Sequence, residues 1–297
     1  MVNSSEVDGR PPDNLDFDVI IIGAGISGMY QLYRLRERDF RIRVFEAGTG
    51  VGGTWYWNRY PGARFDSESY SYAYSFSKEL LDEWHWTEQF SPQPETERYL
   101  NYVADKFDLR RDIQFSARVR SAYFDEEGPN WIITLEDGQH YRARFIITAV
   151  GPLSAPTMPK IEGIEDYKRE AYHTGLWPKE PVRFEDKRVA VIGTGATGIQ
   201  TIQEVAKSVG HLTVFQRRPN WCTPLQNRKI GKAEMQEIRE NYEEIFRRCE
   251  KASFTNDTYA IAVDSNDDIF VSGHENGYEI QNYIDGSILT ISDAPWP

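Results

Sequence analysis

Two glycine clusters have the spacing at which backbone amides can close around a pyrophosphate: Gly23, Gly25 and Gly28, then Gly193, Gly195 and Gly198. In each, the first glycine permits a tight turn and the second lets backbone approach the phosphates. The third lets a helix pack closely on a strand, and the helix N-terminus then faces the anion. Ribose hydroxyls call for an acidic residue about 20 positions further on. After Gly23 that residue is Glu46, at an offset of 23 (46 − 23). The same offset from Gly193 (193 + 23) falls on Gln216, with Arg217 and Arg218 next. A carboxylate there would repel a 2′-phosphate, whereas a neutral residue followed by two guanidiniums would clamp one. The two cradles are therefore expected to take different coenzymes: a dinucleotide with a free ribose, such as FAD, and a phosphorylated one, NADPH. That pairing implies a flavin oxidoreductase.

The elements needed to position both clusters are legible around them. Residues 17–22, with the apolar run 19–22, read as a buried parallel strand, and 189–192 is a second apolar run. A helix after Gly28 carries Met29, Leu32 and Leu35 on one face, and 41–46 is the second strand. After Gly198, Ile199, Ile202, Ala206 and Val209 line one helical face, and 211–215 is the strand that follows. Between the two clusters, residues 55–90 hold 12 aromatics and read as an irregular, aromatic-walled segment. A helix is expected over 96–109, then a β-meander of 113–119, 121–125, 131–136 and 145–150 with a hairpin turn at Asp137-Gly138. Residues 151–159 contain three prolines and read as a linker; 232–251 reads as one charged helix. From 256 the apolar residues alternate as in hairpins, with a turn at Asp285-Gly286. The fold class is thus α/β, two three-layer Rossmann-like dinucleotide-binding domains with a β-meander insertion. Expected boundaries are a flexible tail over 1–16, an FAD-binding domain over 17–152, an NADP-binding domain over 153–255 and a β-rich tail over 256–297.

Composition narrows the function classes. The 297 residues are enough for about two domains, and 40% hydrophobic with 27% charged is ordinary for a globular protein. A net charge of −12 argues against nucleic acid or an anionic membrane as a partner. No apolar run approaches the roughly 20 residues that span a bilayer. The two cysteines, Cys222 and Cys249, are too far apart for a redox pair and, without an export signal, fit a cytoplasmic protein. The five histidines show no ligand spacing, so no metal is expected.

Past Glu46 the pattern becomes specific. Gly52-Gly53-Thr54-Trp55, then Tyr60-Pro61-Gly62 and Asp66, resembles the G-G-x-W-x-x-x-x-Y-P-G-x-x-x-D signature of the Baeyer–Villiger monooxygenases, a class of flavin-containing monooxygenases. Their second signature, F-x-G-x-x-x-H-x-x-x-W-P, is read here from Tyr167 to Pro178, with His173, Trp177 and Pro178 matching. Tyr167 replaces the Phe, and Arg169 stands where the family has Gly, which a side chain tolerates only if the turn avoids positive φ. Trp177-Pro178 favours ketone oxidation over the related oxygenation of nitrogen or sulfur. The resemblance implies FAD on Ser27, Thr54, Trp55, Tyr56, Trp57 and Tyr72, with its adenine at Val119. It implies NADP on Arg64, on the turn from Thr194 through Ala196, Thr197, Ile199 and Gln200, and on Arg217 and Arg218. His173 takes an interdomain role. Asp66 is the catalytic candidate, beside the flavin ring and paired with an active-site arginine.

The implied reaction is NADPH- and O2-dependent conversion of a small-molecule ketone to an ester or lactone through a C4a-peroxyflavin. The resemblance covers residues 15–250, and family members are considerably longer. No arginine or lysine occurs in 256–297 to serve as the partner of Asp66. The chain is therefore expected to be a C-terminally truncated portion or a divergent form completed by another chain. The competing readings are a non-catalytic FAD- and NADP-binding fragment and an N- or S-oxygenating relative. A flavin disulfide reductase is disfavoured by the absence of C-x-x-C.

Overall fold

The computed structural model describes residues 15–255 apart from 219, 221 and 223, with side chains as far as 250, and the backbone of four later strands. In chain order the first elements are β1 (Phe17–Ile22), α1 (Ile26–Arg36), β2 (Ile42–Phe45), α2 (Thr54–Trp57), α3 (Lys78–Glu83) and α4 (Gln93–Lys106). Then come β3 (Ile113–Gln114), β4 (Val119–Asp125), β5 (Asn130–Leu135), β6 (His140–Thr148), β7 (Arg188–Ile192), α5 (Ala196–Val205) and β8 (His211–Phe215). Last are α6 (Lys232–Glu240), α7 (Tyr242–Thr255), β9 (Ala260–Val263), β10 (Ile269–Ser272), β11 (Tyr278–Asn282) and β12 (Ile288–Ile291). The described residues divide into two units, one drawn from Met1–Ala63 and Gln93–Arg183, the other from Arg64–Pro92 and Phe184–Pro297. A single crossing at 152/153 is what the sequence suggests. Instead the aromatic stretch 64–92 joins the second unit. Gln89 N donates to Arg228 O at 2.9 Å and Ile230 N to Thr87 O at 2.9 Å, a long-range pairing that no local pattern announces.

The first unit is built on one sheet of order β3-β2-β1-β6-β5-β4. β1 is flanked by parallel neighbours on both sides, with Ile21 opposite Val44 of β2 and Ile147 of β6. Side chains on both faces of this central strand are buried, which is why Val19–Ile22 is a continuous apolar run. Met29 and Leu32 of α1 are buried against this layer, and Leu35 sits at its rim. Strand alternation turns Ile20 the other way, into a cluster with Phe45, Ala117, Ile133, Leu135 and Ala143. The meander proper is β4-β5-β6, antiparallel throughout, with Gly138 at φ +88° in the expected hairpin turn.

Its expected first strand, 113–119, is two different things. Ile113 and Gln114 pair parallel with β2, and Ser116 at φ +53° then breaks the strand. Val119 starts β4 opposite Leu135. Order also begins earlier than expected: Leu15 is buried, and the Asp16 carboxylate accepts Arg142 N at 2.7 Å. The rest of the expected N-terminal tail lies outside the described residues.

In the second unit β7 and β8 pair parallel, Ile192 opposite Phe215. The inward face of α5 is Thr201 and Val205, one turn apart, rather than Ile199, Ile202, Ala206 and Val209. Thr201 can be buried because its hydroxyl donates to Thr197 O at 2.8 Å. The single helix expected over 232–251 is two. Asn241 ends α6 at φ −111°, ψ 8°, with its side chain donating to Glu237 O at 2.7 Å, and α7 starts afresh. The tail strands form an antiparallel sheet of order β12-β11-β10-β9, as hairpins require. The Asp285-Gly286 turn lies outside the described residues. Among the described residues no helix is long and apolar enough to cross a membrane, and no cluster of acidic, His or Cys residues could hold a metal.

Two substitutions test this packing. Ile133→Ala, which empties the centre of the cluster, should cost about 2–5 kcal/mol in urea unfolding. A Cβ on Gly28 would stand 1.9 Å from Gly23 O. Gly28→Ala should therefore destabilise the chain by about 1–3 kcal/mol, the usual penalty of overpacking. A loss below half a kilocalorie for either would contradict the stated contacts.

Candidate functional site

The first cradle forms where β1 ends and α1 begins. Gly23, at φ +103°, donates its N–H to Phe45 O at 2.8 Å, so the turn is tied to the end of β2. Glu46 follows Phe45, and its carboxylate returns to the turn. Oε2 accepts Ala24 N and Oε1 accepts Gly48 N, both at 2.7 Å, with the residue 5% exposed. Gly25 caps α1 with no side-chain hydrogen bond, and Ser27 is exposed on the first helical turn. Gly53 meets this mouth at φ +53°; a Cβ on it would come within 2.8 Å of Gly25 Cα.

The residues of α2 diverge in their environments. Thr54 and Trp57 keep exposed surface, whereas Trp55 and Tyr56 are buried core side chains. Val119 packs against the cluster of Phe45 and Ala117, and the Ala117 N–H donates to Glu46 O at 2.8 Å.

Nothing in the spacing singles out Lys179, yet its Nζ donates to Tyr56 Oη at 2.7 Å and lies 4.8 Å from the ring centroid. The same phenol accepts Thr49 N at 3.0 Å and lies 2.7 Å from Thr49 Oγ1. Burial pushes this phenol up, but the hydrogen bonds from Lys179 and Thr49 and the ammonium charge outweigh it, and the group titrates below the ordinary tyrosine value.

The second cradle repeats the geometry of the first. Gly193, at φ +102°, donates to Phe215 O at 2.9 Å, and Gly195 caps α5 with no side-chain bond. Gly198 fits against Gly193 O as Gly28 fits against Gly23 O. Where the first cradle has Glu46, this one has Gln216, whose amide donates to Thr194 Oγ1 at 3.0 Å; the Thr194 hydroxyl in turn reaches Arg218 O at 3.5 Å. Arg217 and Arg218 are exposed, and among the described residues neither has an ion-pair partner. Gln200 of α5 donates to Arg64 O at 3.2 Å, which brings Arg64 to this cradle. The Arg64 guanidinium pairs with Glu88 at 3.3 Å.

Asp66 is exposed, and among the described residues no arginine pairs with it. Tyr72 packs against Phe65 within the second unit, with ring centroids 4.1 Å apart and planes tilted by 43°. Its segment left the first unit through the 87–89 pairing described above. His173 Nδ1 accepts Gly175 N at 3.1 Å and caps a short 3-10 turn, Thr174–Leu176. Arg169 is not among the residues with positive φ, so its replacement of glycine introduces no backbone strain.

The chain is 49% identical over 218 residues to the acetone monooxygenase (methyl acetate-forming) of Gordonia sp. (strain TY-5), a match covering 73% of this chain and 41% of that protein. It is 44% identical to the phenazine N-monooxygenase PhzNO1 of Lysobacter antibioticus, covering 79% and 43%. It resembles the crystal structure of OTEMO in complex with FAD and NADP at 44% identity and a TM-score of 0.77, covering 82% of this chain and 46% of that one. The chain thus spans about two fifths of the length of the curated relatives it matches. Residues 17–238 match the family model of the flavin-binding monooxygenase-like proteins, and the chain belongs to that family.

Proposed function

We propose that the chain binds FAD at the first cradle and NADPH at the second, and serves a monooxygenase that converts ketones to esters or lactones with O2. The observation that carries this reading is the contrast between two otherwise alike turns. One is closed by buried Glu46 on Ala24 N, the other by Gln216 on Thr194 with exposed Arg217 and Arg218 beyond it. The first cradle fits its coenzyme. Side chains at Gly23, Gly28 or Gly53 would collide with backbone, so the turn stays bare for a pyrophosphate. Each Glu46 oxygen spends one lone pair on a backbone N–H and keeps another for a ribose hydroxyl.

Ser27 and Thr54 add hydroxyls at the mouth, and Val119 offers an apolar edge to the base. Thr194, Gly195, Ala196, Thr197, Gly198, Ile199 and Gln200 would receive the second pyrophosphate at the uncapped start of α5. Arg217 and Arg218 would hold the 2′-phosphate, with Arg64 nearby. When bound, FAD and NADPH would supply hydride transfer and activation of O2. Asp66 would hold a cation against the reacting centre. Among the described residues Cys222 and Cys249 form no disulfide, which supports a reducing, cytoplasmic setting.

Ketone oxidation is supported by Trp177-Pro178 and by the acetone-oxidising relative. The phenazine N-monooxygenase at 44% identity supports N-oxygenation as a second reading. Asp66 without an arginine among the described residues supports a third, coenzyme binding without oxygenation.

Spectroscopy and product analysis separate these readings. On the ketone reading the purified protein is yellow, NADPH bleaches it, air restores it, and cyclohexanone or phenylacetone yields ester or lactone. An N-oxide from phenazine with no ester selects the second reading, and a yellow protein that makes neither selects the third. Colourless protein that takes up no FAD overturns the first cradle's assignment.

Arg217→Glu tests the other cradle. Loss of a charge-assisted bond of about 1.5–3 kcal/mol should weaken NADPH roughly 10- to 150-fold. NADH should move less than about threefold, because it lacks the 2′-phosphate. Equal weakening of both would refute the 2′-phosphate site.

A further inference from the structure

We infer that Lys179 is a positioning residue for the first cradle, acting through Tyr56 and the 48–49 backbone on Glu46. The inference rests on the FAD reading only for the identity of the ligand. Lys179 follows the Trp177-Pro178 pair in irregular backbone, and its side chain is one that ordinarily wanders in solvent. Here the ammonium is fixed on the buried Tyr56 hydroxyl at 2.7 Å, with Thr49 Oγ1 at 3.5 Å. Among the described residues it has no carboxylate partner. The other cation at this ring, Arg59, is engaged by Glu97 at 3.5 Å.

The phenol oxygen is fully used: it accepts Lys179 Nζ and Thr49 N and shares its proton with Thr49 Oγ1. The ring below it sets the height of the 48–50 loop. A Cβ on Gly48 would stand 2.7 Å from Tyr56 Cε1, and one on Gly50 3.0 Å from Cε2, so only bare backbone can lie this close. Gly48 N, held at that height, donates to Glu46 Oε1, and Glu46 Oε2 holds Ala24 N of the glycine turn. The line from Lys179 to the turn is therefore continuous, every link a contact within the first unit. It ties the end of the 167–178 signature to the carboxylate that would read the ribose.

The test uses the whole chain and two readouts. Hydrogen exchange on the protein without added coenzyme follows the amides of Gly48 and Thr49. Lys179→Met and Tyr56→Phe should each speed them about tenfold, while the amides of β1 keep their protection. FAD affinity, followed by quenching of flavin fluorescence, should fall about tenfold in both variants. Lys179→Arg should restore it to within threefold, and NADP+ affinity should stay within twofold throughout.

Unchanged exchange at residues 48 and 49 in Lys179→Met overturns the inference, as does loss of NADP+ binding in step with FAD, which would mean general destabilisation. Loss of FAD affinity that Lys179→Arg does not restore also overturns it. If exchange responds but even the unaltered protein takes up no FAD, the latch stands and the coenzyme assignment of the cradle fails.

Discussion

The first unit is organised by a carboxylate removed from water and returned to backbone. Burying Glu46 costs several kcal/mol unless its oxygens find donors. Ala24 N and Gly48 N provide them at 2.7 Å, in charge-assisted bonds stronger than neutral ones. The uncapped N-terminus of α1 lies immediately after Ala24, so the helix dipole also favours an anion there. The arrangement constrains everything around it. β2 must end at Phe45, the turn must stay free of side chains, and the 48–50 loop must lie flat on Tyr56. Remove the carboxylate and two buried N–H groups lose their partners, which is worse than never having had it.

The second unit solves the same geometric problem without a buried charge. Gln216 reaches Thr194 as Glu46 reaches Ala24, but through a neutral amide and a hydroxyl. Since Gln216 brings no anion, the adjoining guanidiniums are not neutralised by it. They remain in water, where their charge is screened over a Debye length of about 8 Å at physiological salt but not consumed. The difference between the cradles is one of electrostatics laid over a shared backbone.

How much of this was legible depended on whether the cause was local. The strand before each cluster and the Asp137-Gly138 turn follow from short-range rules of turn and packing, and they stand where those rules put them. The break at Ser116 was not legible, because serine at φ +53° accompanies bonds from its own amide to Gly48 O and from the Ala117 amide to Glu46 O. Asn241 splits a helix whose charge pattern runs on unbroken, through a side-chain bond that competes with the helix backbone. The passage of 64–92 into the second unit is written in a pairing across about 140 residues of chain, beyond the reach of any periodic pattern. Lys179 was invisible for the same reason: a lysine after proline has no signature until its partner ring is in place.

The two cradles also differ in what they ask of a bound coenzyme. At the first, the carboxylate that would read the ribose is buried, its loop is packed on an aromatic ring, and a lysine holds that ring from outside the loop. Leaving such a site means disturbing several contacts together, which slows dissociation without requiring exceptional affinity from any one of them. At the second, the cations that would grip the phosphate are exposed and are reached without moving the core. Exposed charges raise the rate of arrival and lose their grip as salt rises, and they add little to residence. A coenzyme that stays through many turnovers suits the first environment, and one that must arrive and depart in each suits the second. On the assignment proposed above, a resident flavin and an exchanging nicotinamide would match where one carboxylate and two guanidiniums sit relative to water.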